Sequence, residues 1–237
     1  MNSRKNLSPK WLGGCLFAVL GLASIANTHG DTLWSNGDLD FQSGLISTDS
    51  PAVVGIVYDD FNVTSTYGWN VNGASGNFYY TTDVVGTTAN WEIRSGVSEG
   101  NGGTLVASGT AAVTLTPLGP YKIYNVEHVS ITGLNVNLSP GTYWLGFQPI
   151  TTAGYGYVGS TSGANAVGTP PGNDANAFHT RADLDLYFAE TTTLENAGHD
   201  YSLGVSGTVA VPEPAHWILL PLGGLALLLW RRRTSLN

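Results

Sequence analysis

The body of this chain has very few positive charges. Of nine Lys and Arg residues, only Arg94, Lys122 and Arg181 lie between Asn27 and Ala210, whereas sixteen of the seventeen Asp and Glu residues lie there. Three positive against sixteen negative side chains give this part a net charge of −13. Nucleic acids and anionic lipid surfaces are bound through clustered basic side chains. Neither is therefore an expected partner, and cations are the natural small ligands.

Cysteine is also nearly absent. Cys15 is the only one, so no intramolecular disulfide can form and stability must come from the core. The stretch Leu12-Gly13-Gly14-Cys15 resembles a lipoprotein cleavage box, which would make Cys15 a lipid anchor. Such a box follows its apolar stretch, however, whereas most of the apolar residues here come after Cys15. We therefore favour a leader that is removed together with Cys15.

Helical patterns are the third feature missing from the body. We find no amphipathic helix of ten residues or more, because short runs rich in Val, Ile, Thr and aromatics are separated by turn signals such as Asn36-Gly37, Asn72-Gly73 and Pro140-Gly141. Such runs are typical of strands. We predict one all-β domain over residues 27–210, a single antiparallel β-sandwich of jelly-roll type. The stretch Thr151–Asp174 is either a long loop or contains a weak strand near Tyr155–Val158.

The N-terminal stretch has the order of a secretory signal peptide. Arg4, Lys5 and Lys10 precede an apolar run over residues 11–25, and Ser24-Ile25-Ala26 provides small side chains at a cleavage point. We assign residues 1–26 to this signal peptide, which makes signal peptidase an expected partner. The positive charges at both ends of the chain place the body outside the cytoplasm.

The C-terminal segment, residues 211–237, has three unlike parts. Pro212-Glu213-Pro214 keeps the backbone extended, because each proline restricts its own φ and the residue before it. An uncharged apolar run from Trp217 to Trp230 follows, with Pro221 inside it, and Arg231-Arg232-Arg233 closes it. Terminal tryptophans and a basic end are typical of a transmembrane helix with that end in the cytoplasm.

We predict that this apolar run is a short membrane anchor. Counted from Ala215 it has roughly 16 residues, about 24 Å of helix against about 30 Å of hydrocarbon. A helix that is barely long enough to cross the membrane is suited to anchoring the protein there only transiently. The alternatives are a buried core helix and an ordinary permanent anchor, but a core helix is not normally followed by three adjacent arginines.

In their order, Pro212-Glu213-Pro214, the apolar span and the arginine cluster resemble the PEP-CTERM sorting signal. The likeness covers about the last tenth of the chain. It implies a bacterial exported protein that an exosortase recognises in the inner membrane, with the tail removed and the body delivered to the envelope or extracellular matrix. In that family the system often accompanies exopolysaccharide production, so exopolysaccharide is an implied partner.

The body offers few groups arranged for catalysis. Gly96-Val97-Ser98-Glu99-Gly100 matches the nucleophile elbow G-x-S-x-G, which requires a helix after the serine. Turn residues and another strand follow instead, so we predict a glycine-rich hairpin with an inert Ser98. His128, His179 and His199 lack metal-ligand spacing. We predict solvent or loop positions for them, with His128 partly buried in a strand.

Acidic pairs and tryptophans are the remaining candidates for binding. The acidic pairs are Asp38 with Asp40, Asp59 with Asp60 and Asp183 with Asp185. Calcium needs six to eight oxygens, more than one pair supplies, so we expect no cofactor. A structural calcium at Asp59 and Asp60 stays open beside turn capping or solvent exposure. The tryptophans could stack on sugar rings, but filling the core is the more common role; they are Trp34, Trp69, Trp91 and Trp144.

We therefore expect an exported, non-catalytic protein of the envelope or extracellular matrix, sorted by its C-terminal segment and associated with exopolysaccharide. The alternative is a calcium- or carbohydrate-binding module. A glycoside-active enzyme comes third, since any two of the many carboxylates could form the pair that such hydrolysis needs.

Overall fold

The protein is described by a computed structural model covering residues 30–81, 86–170, 174–195 and 198–211. These residues form fourteen strands, one 3₁₀ turn at Ala182–Leu184 and one five-residue helix, α1 (Thr191–Glu195). The strands are β1 (Asp31–Ser35), β2 (Leu39–Ile46), β3 (Thr48–Asp49), β4 (Val54–Val63), β5 (Trp69–Tyr80), β6 (Thr88–Ser95), β7 (Thr104–Tyr121), β8 (Tyr124–Leu138), β9 (Gly141–Ile150), β10 (Gly156–Thr161), β11 (Phe178–Arg181), β12 (Leu186–Glu190), β13 (Asp200–Tyr201) and β14 (Leu203–Val209). The prediction of an all-β body with little helix is confirmed for these ranges.

The long strand β7 joins two halves of the sheet. Its first part pairs with β6 up to Ala112, and its second part pairs with β8 from Val113 onwards. The hydrogen bonds therefore connect the strands into one large sheet, along the path β1-β14-β5-β8-β7-β6-β9-β3-β4-β11-β12. Within the described ranges every strand pair is antiparallel except β3 with β9, which meet in parallel at Asp49 and Ile150. The sheet is mixed, so the purely antiparallel prediction is wrong at this point.

Strands that share no hydrogen bonds meet through aromatic rings. Phe78 of β5 contacts Phe147 of β9 edge-on, with ring centroids 5.9 Å apart. Phe61 of β4 stacks on Trp69 of β5 at 5.9 Å with an angle of 5° between the rings. All four belong to one hydrophobic cluster that draws side chains from both halves of the sheet. Burial of these rings therefore contributes to holding the two halves of the sheet together.

Local sequence signals were correct for most elements and wrong for one. The weak strand predicted near Tyr155–Val158 is confirmed as β10. In β8, Val129, Ile131 and Val136 are buried, whereas Ser130 and Asn135 between them are not, so the side chains alternate as expected for a half-buried strand. Asn72-Gly73, in contrast, is no turn. It lies inside β5, where the register with β8 shifts by a bulge between Val71 and Gly73, and glycine is favoured in bulges as well as in turns.

Both chain ends lie outside the described residues. This applies to the predicted signal peptide, 1–26, and to the C-terminal segment from Pro212 onwards. Within the described part of the chain, no helix combines the length and apolar character that crossing a membrane requires.

Replacing Phe147 by alanine tests the contact between the two halves of the sheet. Phe147 is fully buried, so we expect Phe147→Ala to lower the free energy of unfolding by about 3–5 kcal/mol, through lost apolar burial and a residual cavity. Urea denaturation followed by tryptophan fluorescence measures this. The matched control is Ile123→Ala at an apolar side chain that is 80% exposed, which should stay within about 0.5 kcal/mol of wild type. Equal effects from the two variants would contradict the packing.

Candidate functional site

Strand β4 carries one carboxylate into the core. Side chains alternate between the two faces of a strand, and Asp59 is fully buried on the same face as Phe61. Its Oδ2 accepts hydrogen bonds from Asn36 Nδ2 at 2.8 Å and from the Tyr201 backbone N–H at 2.7 Å. Its Oδ1 accepts one from the Asp60 N–H at 3.0 Å. Asp59 thereby ties the turn after β1 and the strand β13 to β4.

The next residue, Asp60, points to the other face of β4 and lacks these donors. It is 4% exposed, and its Oδ1 has no hydrogen-bond partner. The segment before β11 passes this carboxylate, where Asp174 adds negative charge and Asn176 offers a side-chain hydrogen bond. Asn176 Nδ2 also donates to Asp174 Oδ2 at 3.3 Å, while Asn176 Oδ1 is buried without a partner. Two buried acceptor oxygens thus lack donors in this region.

Asp200, at the start of β13, holds that segment in place. Its carboxylate is fully buried and accepts hydrogen bonds from the Asp174 N–H at 2.6 Å and the Ala175 N–H at 3.0 Å. Asp59, Asp60, Asp174 and Asp200 are therefore brought together from β4, the segment before β11 and β13. We call these four side chains the carboxylate cluster.

Burial dominates the electrostatics of this cluster, because it disfavours the charged form of a carboxyl. It raises the pKa of Asp59 well above its ordinary value, and the charge of Asp200 adds to the rise. Burial and the neighbouring Asp174 raise the pKa of Asp60 to about 6. Burial also raises the pKa of Asp200 to about 7, although the hydrogen bond from the Asp174 N–H opposes the rise.

The three basic residues of the body are engaged elsewhere. Arg94 pairs with Glu92 at 2.6 Å, and Arg181 pairs with Asp183 at 2.8 Å. Lys122 lies over the ring of Tyr121, with Nζ 4.8 Å from its centroid. None of these contacts involves the carboxylate cluster.

The predicted pair Asp59 and Asp60 is thus buried, and the expectation that it caps a turn or faces water is wrong. The other predicted pairs stay apart from it. Asp38 accepts a hydrogen bond from Asn165, Asp40 accepts one from Ser160, and Asp183 forms its ion pair. The remaining predicted site residues lie outside the described residues, namely Pro212, Glu213, Pro214, Trp217, Pro221, Trp230, Arg231, Arg232 and Arg233.

Ser98 occupies the tight hairpin that its glycines predict. It is exposed and exchanges two backbone hydrogen bonds with Asn101, at 3.0 and 2.8 Å, so the glycine-rich hairpin is confirmed. His128 is partly buried in β8 as expected, with Nδ1 2.8 Å from Asn77 Oδ1, and burial lowers its pKa. The surface position predicted for His179 is wrong. It is buried on β11 with Nε2 2.9 Å from the Ile46 carbonyl oxygen, and burial lowers its pKa to about 4.

The tryptophans fill the interior rather than a binding surface. Trp34, Trp69 and Trp91 are buried in the main cluster, which confirms the core role. Trp144 is half-buried and packs against a second cluster around Tyr58.

Five aromatic rings gather instead at a cleft that we call the tyrosine cleft; Phe41 is exposed, Tyr121, Tyr124 and Tyr157 are half-buried, and Tyr79 is buried. It has a volume of about 220 Å³. Its lining residues are Phe41, Gln42, Ser43, Gly44, Tyr79, Tyr121, Lys122, Tyr124 and Tyr157. They come from β2, β5, the β7–β8 hairpin and β10.

The rings of the tyrosine cleft form a connected series. Phe41 and Tyr121 have centroids 4.9 Å apart, and Tyr79 lies 5.9 Å from Tyr121 and 6.0 Å from Tyr124. Tyr124 in turn meets Tyr157 edge-on at 5.9 Å. Mutual packing of this kind fixes ring orientation, so the cleft presents preformed aromatic surfaces.

Phe41 adopts an unusual backbone conformation at this cleft. Its φ is +59°, a left-handed value that costs energy for a bulky residue. The side chain is nevertheless 41% exposed. The Tyr121 hydroxyl donates to the Phe41 carbonyl oxygen at 2.8 Å, so the β7–β8 hairpin holds this conformation.

Sequence reasoning missed both assemblies beyond Asp59 and Asp60. No motif or spacing in the sequence distinguishes Asp174, Asn176 and Asp200 from other polar residues. The run Asn173-Asp174-Ala175-Asn176 does, however, place several side-chain oxygens close together in sequence. The tyrosine cleft had a weak signal in closely spaced aromatics, as at Tyr121 with Tyr124.

Within the described ranges, no three or more His, Cys, Asp and Glu side chains already form a metal-ligand set. No protein-family model, curated protein or solved structure matches this chain.

The raised pKa values of Asp60 and Asp200 contribute a loss of stability with rising pH when divalent cations are chelated, whereas the lowered pKa of His179 contributes in the opposite direction. An unfolded aspartate has a pKa near 4, so between about 4 and the folded pKa of about 6 for Asp60 and about 7 for Asp200 the folded state binds more protons. That stabilisation is complete below the unfolded pKa and is lost as pH rises through the folded pKa.

Asp60→Asn should flatten this pH dependence by on the order of 1–2 kcal/mol between about pH 4 and pH 8. Urea denaturation in EGTA at stepped pH measures it. Asp185→Asn, at an exposed carboxylate, is the control and should keep the wild-type slope. A pH dependence of Asp60→Asn that matches that of wild type would contradict the raised pKa of this buried carboxyl.

Proposed function

We propose that this protein is an exported, non-catalytic component of the bacterial envelope or extracellular matrix. In this proposal signal peptidase removes residues 1–26, and an exosortase-type enzyme processes the segment 211–237 after a transient hold in the inner membrane. The support is the order of features at the two ends of the sequence. We further propose that the body, 27–210, is one domain whose sheet closes into a jelly-roll-like sandwich, as the ring contacts between Phe78 and Phe147 and between Phe61 and Trp69 favour.

In this proposal the body associates with exopolysaccharide through the tyrosine cleft, and this cleft is the observation that carries the proposal. Sugar rings have apolar faces that pack on aromatic side chains, while their hydroxyl groups need hydrogen-bond partners. The cleft combines both kinds of group, because Gln42, Ser43 and Lys122 stand beside the rings. Exposure of Phe41 in a strained conformation fits a residue kept for binding rather than for packing.

The size of the cleft fits a short part of a polysaccharide. A volume of about 220 Å³ is below the roughly 300–1,000 Å³ typical of sites that enclose a drug-sized ligand. One or two sugar units of a chain would fit this open surface, each contact being weak. Repeated contacts along a long polysaccharide then give retention through high effective concentration.

The lining of the cleft favours binding over hydrolysis. Glycoside hydrolysis uses two carboxylates that flank the scissile bond, and none of the described residues that line the cleft is an Asp or Glu. The third candidate, a glycoside-active enzyme, therefore has no carboxylate pair at this aromatic surface.

Alanine substitutions test the tyrosine cleft. Phe41→Ala and Tyr124→Ala each remove one aromatic face, so each should weaken retention by the host's exopolysaccharide about three- to tenfold. Co-sedimentation of the full-length chain in detergent with that polysaccharide, with and without calcium, measures it. The control is Tyr187→Ala, a tyrosine 60% exposed outside the cleft. If all three variants bind like wild type, the cleft is not the polysaccharide site.

Two sets of tail substitutions test the sorting proposal. Neutral residues at Arg231, Arg232 and Arg233 remove the cytoplasmic charges that orient the span, so membrane retention should be lost. Alanines at Pro212, Glu213 and Pro214 allow helix to extend into the processing site, so a membrane-bound precursor should accumulate. Pulse-chase immunoblotting of membrane and secreted fractions in the native host separates the two outcomes. Normal processing of the triple-alanine variant would contradict the assignment of Pro212-Glu213-Pro214 as a sorting signal. The C-terminal segment would then be interpreted only as an ordinary short anchor.

A further inference from the structure

We propose that Asp60, Asp174 and Asn176, supported by the carboxylate of Asp200, bind one calcium ion that fixes the segment before β11 to strand β4. This site extends beyond the pair Asp59 and Asp60 considered from sequence. The inference is independent of the proposed association with polysaccharide.

Asp60 and Asn176 interact through a side-chain hydrogen bond, yet each of them keeps one buried acceptor oxygen without a donor. Asp60 is 4% exposed with no hydrogen-bond partner for Oδ1, and Asn176 Oδ1 is buried without a partner as well. A carboxylate oxygen and an amide oxygen have only lone pairs to offer each other. Leaving both unsatisfied in a buried place costs free energy. A cation between them would satisfy both oxygens at once.

No Lys or Arg side chain of the body supplies positive charge to the carboxylate cluster. Residues 27–210 contain only Arg94, Lys122 and Arg181 as basic residues. The two arginines are paired with Glu92 and Asp183, and Lys122 lies over Tyr121. Buried charges are normally paired or coordinate a metal. Four carboxylates lie together here without an Arg or Lys. Their negative charge must therefore be neutralised by bound protons or by a bound cation.

The chemistry of the ligands favours calcium among the possible cations. The atoms that would bind the cation are carboxylate and amide oxygens, and the body contains no cysteine. Ligand sets made only of oxygen atoms select hard cations. Asp60 comes from a rigid strand, whereas Asp174 is exposed and Asn176 half-buried on an irregular segment. Calcium tolerates such irregular coordination, with water completing its shell, whereas magnesium demands near-octahedral geometry.

Asp200 supports the site by binding the backbone of the segment that carries two of the ligands. Its carboxylate accepts hydrogen bonds from the backbone of Asp174 and Ala175 at 2.6 and 3.0 Å, which turns this segment toward β4. Binding of calcium would draw the Asp174 and Asn176 side chains onto Asp60 and complete a ligand set that the three carboxylates alone do not form. The expected role is therefore structural, locking the segment before β11.

Calorimetric titration of the full-length chain in detergent, stripped with EGTA and titrated with calcium chloride, tests this site. We expect one binding event and a rise in the melting temperature of about 5–10 °C when calcium exceeds its dissociation constant about a hundredfold. Magnesium chloride should give a clearly smaller shift. Hydrogen exchange of residues 174–176 should slow only when calcium is added.

Variants separate this site from general screening of an acidic surface. Asp60→Asn keeps the size of the side chain but removes one charge, so calcium affinity should fall about tenfold or more. Asn176→Ala should weaken affinity as well, and it serves if Asp60→Asn folds poorly. Asp185→Asn should bind like wild type. Absence of binding heat up to about 10 mM calcium, well above the weakest typical extracellular sites, would overturn the proposal and leave bound protons as the neutralising species. An equal thermal shift in all variants would also overturn it.

Discussion

Burial of Asp59 without a basic partner is the constraint on which much of this structure depends. A charged group inside a protein is tolerated only when hydrogen bonds or counter-charges replace its hydration. Here Asn36, Tyr201 and Asp60 provide N–H donors from three places on the chain. The turn after β1, the strand β4 and the strand β13 must therefore meet at one point. The carboxylate thus acts as a specific junction between segments 142 residues apart in sequence.

The same constraint connects the composition of the chain to its structure. A body with three basic and sixteen acidic residues cannot neutralise a buried carboxylate cluster with its own cations once those are engaged at Glu92, Asp183 and Tyr121. Its negative field also raises the local concentration of any dissolved cation. Acidic composition, which in sequence indicates little more than solubility, becomes informative when the fold gathers four aspartates in one place.

Periodicity predicted the fold class, because residue alternation follows directly from strand geometry. Strand ends were less predictable. Asn72-Gly73 has the composition of a turn, yet a bulge in the middle of β5 places the same demand on the backbone, and only the pairing with β8 distinguishes the two. Asp59 and Asp60 were recognised as a pair but not as buried, because their burial is produced by β13 and the segment before β11. Contacts between residues so distant in sequence leave no local pattern.

The tyrosine cleft could not be predicted for the same reason, because its residues are distant from one another in sequence. The way in which it is built indicates a specific feature of the fold rather than an incidental gap at the surface. Five strands, β2, β5, β7, β8 and β10, contribute rings, so the cleft depends on the pairing of strands that are distant in sequence. The hairpin that closes it uses Tyr121 to hold Phe41 at a positive φ, a conformation that costs on the order of 1–3 kcal/mol. Burial of the Phe41 side chain does not by itself explain why the fold accepts this conformational free energy, since Phe41 remains 41% exposed. A fold that tolerates backbone strain to keep an aromatic ring partly exposed beside other aromatic rings is consistent with the proposed binding role, because the rings are held in place before any ligand arrives.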